Sequence, residues 1–151
     1  MYGDKGEVPE GEYIIPIGVA DVVREGSHVT LVSFGKIMKK VKEAADLLAE
    51  EGIEADVIDL RTVRPIDYDT IISSVKKTNR LVIVEEAWPL ASLSSDIAFN
   101  VQRDAFDHID APVKRVCTAD VPMAYAPNLV EEFMPKVSKI VEEVKSVMYV
   151  K

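Results

Sequence analysis

The chain has 151 residues, 48% of them hydrophobic and 29% charged, and a formal net charge of -8. This length predicts one globular domain, since domains commonly hold roughly 100–200 residues. Basic residues are scattered along an acidic chain, so we expect a surface that repels nucleic acid and acidic membranes. No apolar run approaches the ~18 residues that cross a bilayer, and the first residues lack the basic and apolar parts of a secretion signal.

The single cysteine, Cys117, excludes an intrachain disulfide and a multi-thiolate metal site. A reducing compartment is therefore expected, either a cytosol or an organelle matrix. Cys117 falls within an apolar stretch that is predicted to be a strand, where burial suppresses the reactivity of a thiol. The sequence favours a packing role for this residue over a nucleophilic one.

The chain begins with a segment that is rich in glycine, glutamate and proline and has no periodicity. We interpret residues 1–16 as a linker or extended arm that joined an upstream region, and residues 17–151 as the domain. Residues 17–23 and the β-branched run 28–34 are predicted strands, the second at the centre of the sheet. Apolar residues at helical spacing from Ile37 onward predict a helix that stops at Gly52.

A strand, a turn and a helix come next. The predicted strand covers residues 54–60, and Pro65 marks the turn because proline disfavours helical geometry in the residue before it. Asp67 can accept hydrogen bonds from the first turn of a helix. The predicted inner face of that helix holds Ile71, Ile72 and Val75.

The last part of the chain continues the alternation. Residues 80–85 and 113–118 are predicted strands, and residues 93–105 carry apolar side chains at helical spacing. Prolines after the last strand, Pro127 among them, are expected to break the chain, and Pro135 suits the first turn of a terminal helix. The alternation predicts a three-layer α/β sandwich, in which helices cover both faces of a mostly parallel sheet of about five strands.

Most motifs of reactive sites are absent from the sequence. Residues 33–36 (SFGK) hold one glycine and match neither a Walker loop nor a dinucleotide fingerprint, which favours an ordinary tight turn. His28 and His108 do not accompany a Gly-x-Ser-x-Gly elbow, although a Ser-His-Asp site could still assemble in space. The spacing of histidine, cysteine and carboxylate residues does not fit a zinc site.

Two features stand out at the end of the predicted strand 80–85. Glu85 and Glu86 lie where open α/β domains place functional groups, so paired carboxylates there could perform acid and base chemistry. We favour the alternative that one of them caps the following helix or forms an ion pair while the other is solvated. Trp88 and Pro89 come next, and a tryptophan beside a rigid neighbour fits either an interface anchor or simple core packing.

Five stretches of the sequence occur in the order that is seen in one family. They are residues 8–18 (VPEGEYIIPIG), 60–67 (LRTVRPID), 84–89 (VEEAWP), 110–116 (DAPVKRV) and 119–126 (ADVPMAYA). With them the chain resembles, over nearly its whole length, the C-terminal, transketolase-C-like domain of the pyruvate dehydrogenase beta subunit. The beta subunit of branched-chain 2-oxoacid dehydrogenase is the nearest confusable relative, and residues 13–16 and 110–112 favour pyruvate.

The resemblance implies a division of labour. In this family thiamine diphosphate and magnesium lie between the alpha subunit and the N-terminal domain of the beta subunit, so no catalytic, cofactor-binding or metal-binding residue is implied in this chain. The domain is instead implied to join an alpha subunit and a second beta subunit in a heterotetramer. It is also implied to dock the peripheral-subunit-binding domain of the dihydrolipoyl acyltransferase core, in the mitochondrial matrix of a eukaryote or the cytoplasm of a bacterium.

The residues that we expect at a subunit or core interface lie in two of the shared stretches. They are Glu86, Trp88, Pro89, Asp120, Pro122 and Tyr125. Relatives have glycines where this chain has Glu86, Ala87 and residues 90–94 (LASLS), and side chains at such positions alter a close backbone approach.

Two alternatives from other functional classes stay open. One is a free-standing small α/β enzyme that uses Glu85 and Glu86. The other is a regulatory ligand-binding module, which would require an apolar pocket with converging polar groups at the carboxyl ends of the strands.

Overall fold

The computed structural model describes residues 6–7 and 10–150. Residues 1–5 of the predicted arm lie outside the described residues. So do residues 8 and 9, the first two of the shared stretch 8–18. The described part of residues 1–16 contains neither helix nor strand. Within the described residues, no helix has both the length and the apolar character that crossing a bilayer requires.

Within the described residues, five strands form one sheet in the order β1-β3-β2-β4-β5. They are β1 (Asp21–Arg24), β2 (Val29–Ser33), β3 (Ala55–Asp59), β4 (Leu81–Val84) and β5 (Lys114–Val116). Strands β2 to β5 run parallel to one another, whereas β1 pairs with β3 in the antiparallel sense at one edge. The predicted mostly parallel sheet of about five strands is therefore confirmed.

Helices cover both faces of this sheet. They are α1 (Met38–Glu50), α2 (Tyr68–Thr78), α3 (Leu93–Ala105), α4 (Pro127–Phe133) and α5 (Val137–Met148). Helices α1 and α5 enclose one apolar cluster, and α2 and α3 enclose another on the opposite face. Strand β4 sends Val82 and Val84 into the first cluster and Leu81 and Ile83 into the second. Because both of its faces are buried, this strand is apolar at every position.

Two helix ends lie where the sequence predicted them. Asp67 precedes α2, and its Oδ1 accepts the backbone N–H of Thr70 at 3.0 Å, which satisfies a donor that the helix leaves free. Gly52 follows α1 with a φ of 81°, and its N–H donates to the carbonyl of Ala49. Glycine adopts this left-handed conformation without the strain that a side chain would add.

The predictions about two prolines were wrong. Pro127 does not break the chain but begins α4, a helix that the sequence analysis missed, at a position where the absent N–H of proline costs nothing. Pro135 lies outside the terminal helix, which begins at Val137. The carbonyl of Pro135 instead accepts a hydrogen bond from Lys40 Nζ at 2.8 Å.

Two strand boundaries also differ from the prediction. The first strand begins at Asp21 rather than at residue 17, because Gly18 lies in a turn with a φ of 79°. The last strand ends at Val116, so Cys117 follows it rather than lying inside it.

A buried polar network joins β3 to α2 near the amino ends of the strands. Asp56 is almost completely buried, and its Oδ1 accepts the N–H of Gly26 at 3.0 Å and Lys77 Nζ at 2.9 Å. Its Oδ2 accepts the hydroxyl of Ser74. A Cβ on Gly26 would lie 2.2 Å from the carbonyl carbon of Ala55, so the chain needs glycine at this crossing.

Candidate functional site at the carboxyl ends of the strands

The carboxyl ends of β2 and β4 lie where the fold changes the side of the sheet on which the chain continues. The chain leaves β2 toward α1 on one face and leaves β4 toward α3 on the other. Open α/β sheets bind ligands in the crevice that such a change creates. The loops after β4 and β5 lie at this end of the sheet and hold Glu85 and the six residues that the sequence suggested for an interface.

Glu85 is buried directly after β4 and caps α3. Its Oε1 accepts the backbone N–H of Ser94 at 3.1 Å and also the Ser94 hydroxyl. The carboxylate therefore lies at the positive end of the α3 dipole and satisfies an N–H group of the first turn. Its other oxygen, Oε2, is buried without a hydrogen-bond partner in the described part of the chain.

The neighbouring Glu86 faces the other way. It is exposed and lines a groove beside α1, whereas Glu85 contacts α3. Adjacent residues of an extended chain direct their side chains to opposite faces. The two carboxylates therefore do not form the pair that a free-standing acid–base enzyme would need, and the geometry agrees with a cap and a solvated neighbour.

The groove beside α1, here called the α1 groove, has a volume of about 400 Å³. Lys36, Lys39 and Lys40 line it from the start of α1, and Glu86 reaches it from the loop after β4. Apolar side chains of the segment after β5 complete the lining: Met123, Val130 and Met134. The groove thus combines basic and apolar walls at the carboxyl ends of the strands.

Arg115 holds the loop between β4 and α3 in place. Its Nη1 donates to the carbonyl of Pro89 at 2.9 Å and to the hydroxyl of Ser95 at 2.5 Å. Strand β5 is thereby tied to the loop that precedes α3. A phosphate at the start of α3 would meet the Glu85 carboxylate, so this helix end does not suit an anion.

Trp88 connects the loop after β4 with the loop after β5. Its indole N–H donates to the carbonyl of Val121 at 3.0 Å, while 52% of the side chain stays exposed. Simple core packing is therefore not its role. We group the exposed large apolar side chains of these two loops and of α4 under the name strand-end apolar surface: Trp88, Leu90, Val121, Met123, Tyr125 and Leu129.

The six candidate interface residues are all accessible. Trp88 and Pro89 lie in one loop with Glu86, and the other loop holds the exposed residues Asp120, Pro122 and Tyr125. The hydrogen bond from Trp88 to Val121 brings the two loops into contact. Accessibility is what an interface requires, and the binding role of these residues stays a prediction.

The histidines lie at the opposite end of the sheet from Glu85. His28 precedes β2, and its Nδ1 accepts the N–H of Glu54 at 2.8 Å. His108 follows α3 and precedes β5. Neither joins a serine and a carboxylate in a catalytic geometry, and among residues 6–7 and 10–150 no three potential metal-ligating side chains of histidine, cysteine, aspartate or glutamate group together.

Cys117 packs against the cap of α3. Its Sγ lies 3.7 Å from Glu85 Oε1 and 3.7 Å from Ser94 Oγ. Burial raises the pKa of the Cys117 thiol, and the charge of Glu85 acts in the same direction. A thiol that stays protonated at neutral pH is a poor nucleophile, in agreement with the predicted packing role.

The family model described as the C-terminal domain of transketolase matches residues 18–140. The chain belongs to the transketolase C-terminal domain family. One curated relative of this domain is the mitochondrial pyruvate dehydrogenase E1 component subunit beta of Dictyostelium discoideum, 51% identical over 90% of this chain and 38% of that protein. Another is the acetoin:2,6-dichlorophenolindophenol oxidoreductase subunit beta of Bacillus subtilis, 47% identical over 93% of this chain and 41% of that protein.

A solved structure supports the same assignment. A split gene transketolase, described as an inactive beta4 tetramer, matches this transketolase C-terminal domain with a TM-score of 0.81 and 30% identity, over 97% of this chain and 47% of that chain. The chain spans less than half the length of each of these relatives. The predicted family resemblance and fold are confirmed.

Ala91 and Ser94, at positions where the family resemblance implies glycine, differ from each other in this transketolase C-terminal domain. Ala91 has a φ of 51°, a left-handed conformation that glycine adopts more readily than alanine. Ser94 is buried, and its hydroxyl adds a hydrogen bond to Glu85. The backbone thus keeps a glycine-like turn at one position and gains a side-chain contact at the other.

Sequence reasoning missed Arg115, Ser94 and the α1 groove. The three lysines at positions 36, 39 and 40 have the spacing of one helical face, and this was a signal that could have been used. The apolar wall of the groove lies more than 80 residues further along the chain, and no local pattern in the sequence announces that contact.

Proposed function

We propose that this chain is the assembly domain of the beta subunit of a thiamine-dependent 2-oxoacid dehydrogenase that acts on pyruvate. In this role it holds an alpha subunit and a second beta subunit, and it docks the peripheral-subunit-binding domain of the dihydrolipoyl acyltransferase core. The 51% identity to a pyruvate dehydrogenase beta subunit supports this function. The expected location is the mitochondrial matrix in a eukaryote or the cytoplasm in a bacterium.

The observation that carries the proposal is the strand-end apolar surface. Tyr125 is fully exposed, and Leu90 and Met123 are exposed by 83% and 60%. Large apolar patches on a soluble protein mark sites of protein interaction, and tryptophan and tyrosine are frequent anchors of interfaces. Two loops joined by the Trp88–Val121 hydrogen bond present these side chains to a partner.

A second exposed apolar segment precedes the sheet. Its members are Tyr13, Ile14, Ile15, Ile17 and Val19. Backbone hydrogen bonds hold its end to the domain, from Gly18 N–H to Thr62 Oγ1 and from Ala20 N–H to Asp67 Oδ2, both at 2.9 Å. Such a segment suits contact with the remainder of a larger subunit. This agrees with the finding that the chain spans 38% of the Dictyostelium discoideum relative.

The proposal places thiamine diphosphate and magnesium outside this chain. The start of α3 is occupied by the Glu85 carboxylate, which would repel a diphosphate. As the family resemblance implies, we expect the coenzyme in other parts of the complete enzyme, which this domain would position.

Relatives of nearly equal identity to this chain differ in the substrate that their names give. An acetoin oxidoreductase beta subunit is 47% identical to this chain, close to the 51% of the pyruvate dehydrogenase subunit. A branched-chain 2-oxoacid dehydrogenase is a further alternative with the same division of labour. None of these substrates requires a catalytic residue in this chain.

Sedimentation of the purified chain tests the assembly role. We expect self-association through the strand-end apolar surface, as the beta4 tetramer of the split gene transketolase suggests. The Tyr125→Asp and Met123→Asp variants should shift the chain toward the monomer, because each buries a charge in such an interface. Phe99→Asp, at an exposed aromatic of α3, is the matched control. A monomeric parent chain at high micromolar concentration would contradict this part of the proposal.

Docking to the acyltransferase core needs the complete heterotetramer. Isothermal titration with the peripheral-subunit-binding domain should give a saturable heat. An absence of heat with the complete heterotetramer would count against docking and would leave the assembly role to be judged by sedimentation.

A further inference from the structure

The chain leaves the sheet after β5 and returns before α5 in an excursion whose two ends meet. We call residues 119–133 the α4 segment, and at its base the N–H of Ala119 donates to the carbonyl of Phe133 at 3.0 Å. Compact loops with their ends close together are frequently functional. The segment carries four members of the strand-end apolar surface: Val121, Met123, Tyr125 and Leu129.

The α4 segment contributes nothing to the core of the domain. The structure describes all of its residues, and none of them is buried; Ala124, Val130 and Phe133 are partly buried and the rest are exposed. Neither apolar cluster of the described residues contains a member of the segment. A cavity of about 300 Å³ is lined by residues of the segment alone, Val121 and Leu129 among them. The segment is therefore loosely packed against itself and against the sheet.

Few hydrogen bonds hold the α4 segment in place. Among the described residues, the indole N–H of Trp88 donates to the carbonyl of Val121 at 3.0 Å, and Lys136 Nζ donates to Glu132 from just beyond the end of the segment. Helix α4 has seven residues, and isolated helices shorter than about 12–15 residues are marginal in water. A unit with few buried contacts and exposed hydrogen bonds opens at a small cost in free energy.

We propose that the α4 segment opens independently of the domain in the monomeric chain and becomes ordered when a second copy covers the strand-end apolar surface. This inference rests on the self-association proposed above, and the second copy is the partner because the apolar side chains of the segment belong to that surface. Association must then supply the entropy cost of ordering the segment. The tendency of α4 to form a helix consequently controls how tightly the chain assembles.

Hydrogen exchange followed by mass spectrometry compares the monomeric with the associated chain. Dilution supplies the monomer, and so does Leu90→Asp, at an exposed position outside the α4 segment. In the monomer the segment should exchange within about tenfold of the rate of an unstructured peptide, although α4 pairs the Val130 N–H with the Ala126 carbonyl. Strand β4 should exchange more than about 1,000-fold more slowly, since its amides open only when the domain unfolds. Association should slow exchange in the segment by at least about tenfold.

The outcomes of this comparison separate the proposal from the self-association on which it rests. A monomer in which the α4 segment exchanges as slowly as α3 would overturn the proposal, and so would an associated chain in which exchange of the segment stays unchanged. A parent chain that sediments as a monomer at high micromolar concentration would contradict the self-association itself, and the ordering step would be wrong with it.

A proline in α4 gives a second test. Glu131→Pro removes an N–H of α4 at an exposed position, so it should weaken association at least about tenfold and leave the urea midpoint unchanged. Glu131→Ala removes the same carboxylate but keeps the N–H, and it should change the Kd of association by no more than about 2-fold. Gln102→Pro, at an exposed position inside α3, should lower the urea midpoint because α3 packs on the sheet. If Glu131→Pro lowers the midpoint as Gln102→Pro does, α4 folds together with the domain and the proposal is wrong.

Discussion

Two hydrogen bonds join Glu85 and Ser94 through a single carboxylate oxygen. Glu85 Oε1 accepts the Ser94 N–H at 3.1 Å and the Ser94 hydroxyl, so the end of β4 is fastened to the first turn of α3. The contact uses Glu85 on the α3 face and leaves Glu86 to the α1 groove. The two adjacent glutamates consequently serve different faces of the sheet.

Removing the Glu85 carboxylate should destabilise the domain. Glu85→Ala leaves the Ser94 N–H without an acceptor, removes one partner of the Ser94 hydroxyl and opens a cavity, so we expect a loss of about 2–3 kcal/mol in the free energy of unfolding. Glu85→Gln keeps an acceptor and should cost less. Urea unfolding measures both, and Glu86→Ala at the exposed neighbour should stay within about 0.5 kcal/mol. Similar losses for the two alanine variants would contradict the capping role.

The stability of the domain should fall in acid partly because of Asp67. Burial acts to raise the pKa of Asp67, but hydrogen bonds from the Ala20 N–H, the Thr70 N–H and the Thr70 hydroxyl outweigh it, and the net pKa lies below its usual value. A carboxyl whose pKa is lower in the folded state stabilises above its unfolded pKa. That stability is lost as the pH falls through the folded pKa.

Unfolding experiments between about pH 6 and pH 3 test this dependence. The parent chain should lose stability more steeply than Asp67→Asn, in which the group cannot titrate. Asp69→Asn, an exposed position in the first turn of the same helix, is the control and should keep the parent's slope. Identical slopes for the parent and Asp67→Asn would show that this carboxyl contributes nothing.

Gly26 should not tolerate even a methyl group. A Cβ there would lie 2.2 Å from the backbone carbon of Ala55 and 2.6 Å from the backbone nitrogen of Asp56, atoms that cannot rotate away. We expect Gly26→Ala to cost at least about 2 kcal/mol, because overpacking forces the backbone to shift. Gly6→Ala has open space around its Cβ and is the matched control. Thermal unfolding of both variants gives the comparison.

Cys117 should react slowly with thiol reagents. Burial and the nearby Glu85 carboxylate raise its pKa, so little thiolate exists at neutral pH. The rate of labelling by an aromatic disulfide should therefore be well below that of the urea-unfolded chain at the same pH, and it should rise with pH. Labelling of the folded chain as fast as the unfolded chain would contradict the packing role.

The left-handed backbone at Ala91 should make glycine an improvement there. Removing the Cβ relieves about 1 kcal/mol of strain, and the gain is partly offset by the greater freedom of glycine in the unfolded chain. We expect Ala91→Gly to be neutral or stabilising by about 0.5 kcal/mol. Ala87→Gly, in the same loop but without a positive φ, should destabilise by about 0.5–1 kcal/mol. Equal effects on urea unfolding would contradict this difference.

The sequence predicted those elements of the fold that are determined by residues close together in the chain. The β-branched run of β2, the apolar run of β4 and the cap at Asp67 all follow from neighbouring residues. The seven-residue helix α4 was missed because Pro127 resembles a chain break and the helix is too short to show a period.

Most of the candidate site could not be predicted, because tertiary contacts create it. The sequence suggested that one of the two glutamates would cap a helix, yet which one does so depends on the face that β4 presents to α3. The α1 groove brings Lys36 beside Met123, residues that no periodicity relates. Separation along the chain hides such contacts from pattern analysis.

Asp67 connects the segment before β1 with the start of α2. Its Oδ2 holds the backbone of Ala20, where the apolar arm enters the sheet, and its Oδ1 holds the first turn of α2. A pull on the segment that precedes β1 is thus resisted first by the hydrogen bond between Gly18 and Thr62 and then by the Asp67 carboxyl group, which passes it on to the start of α2.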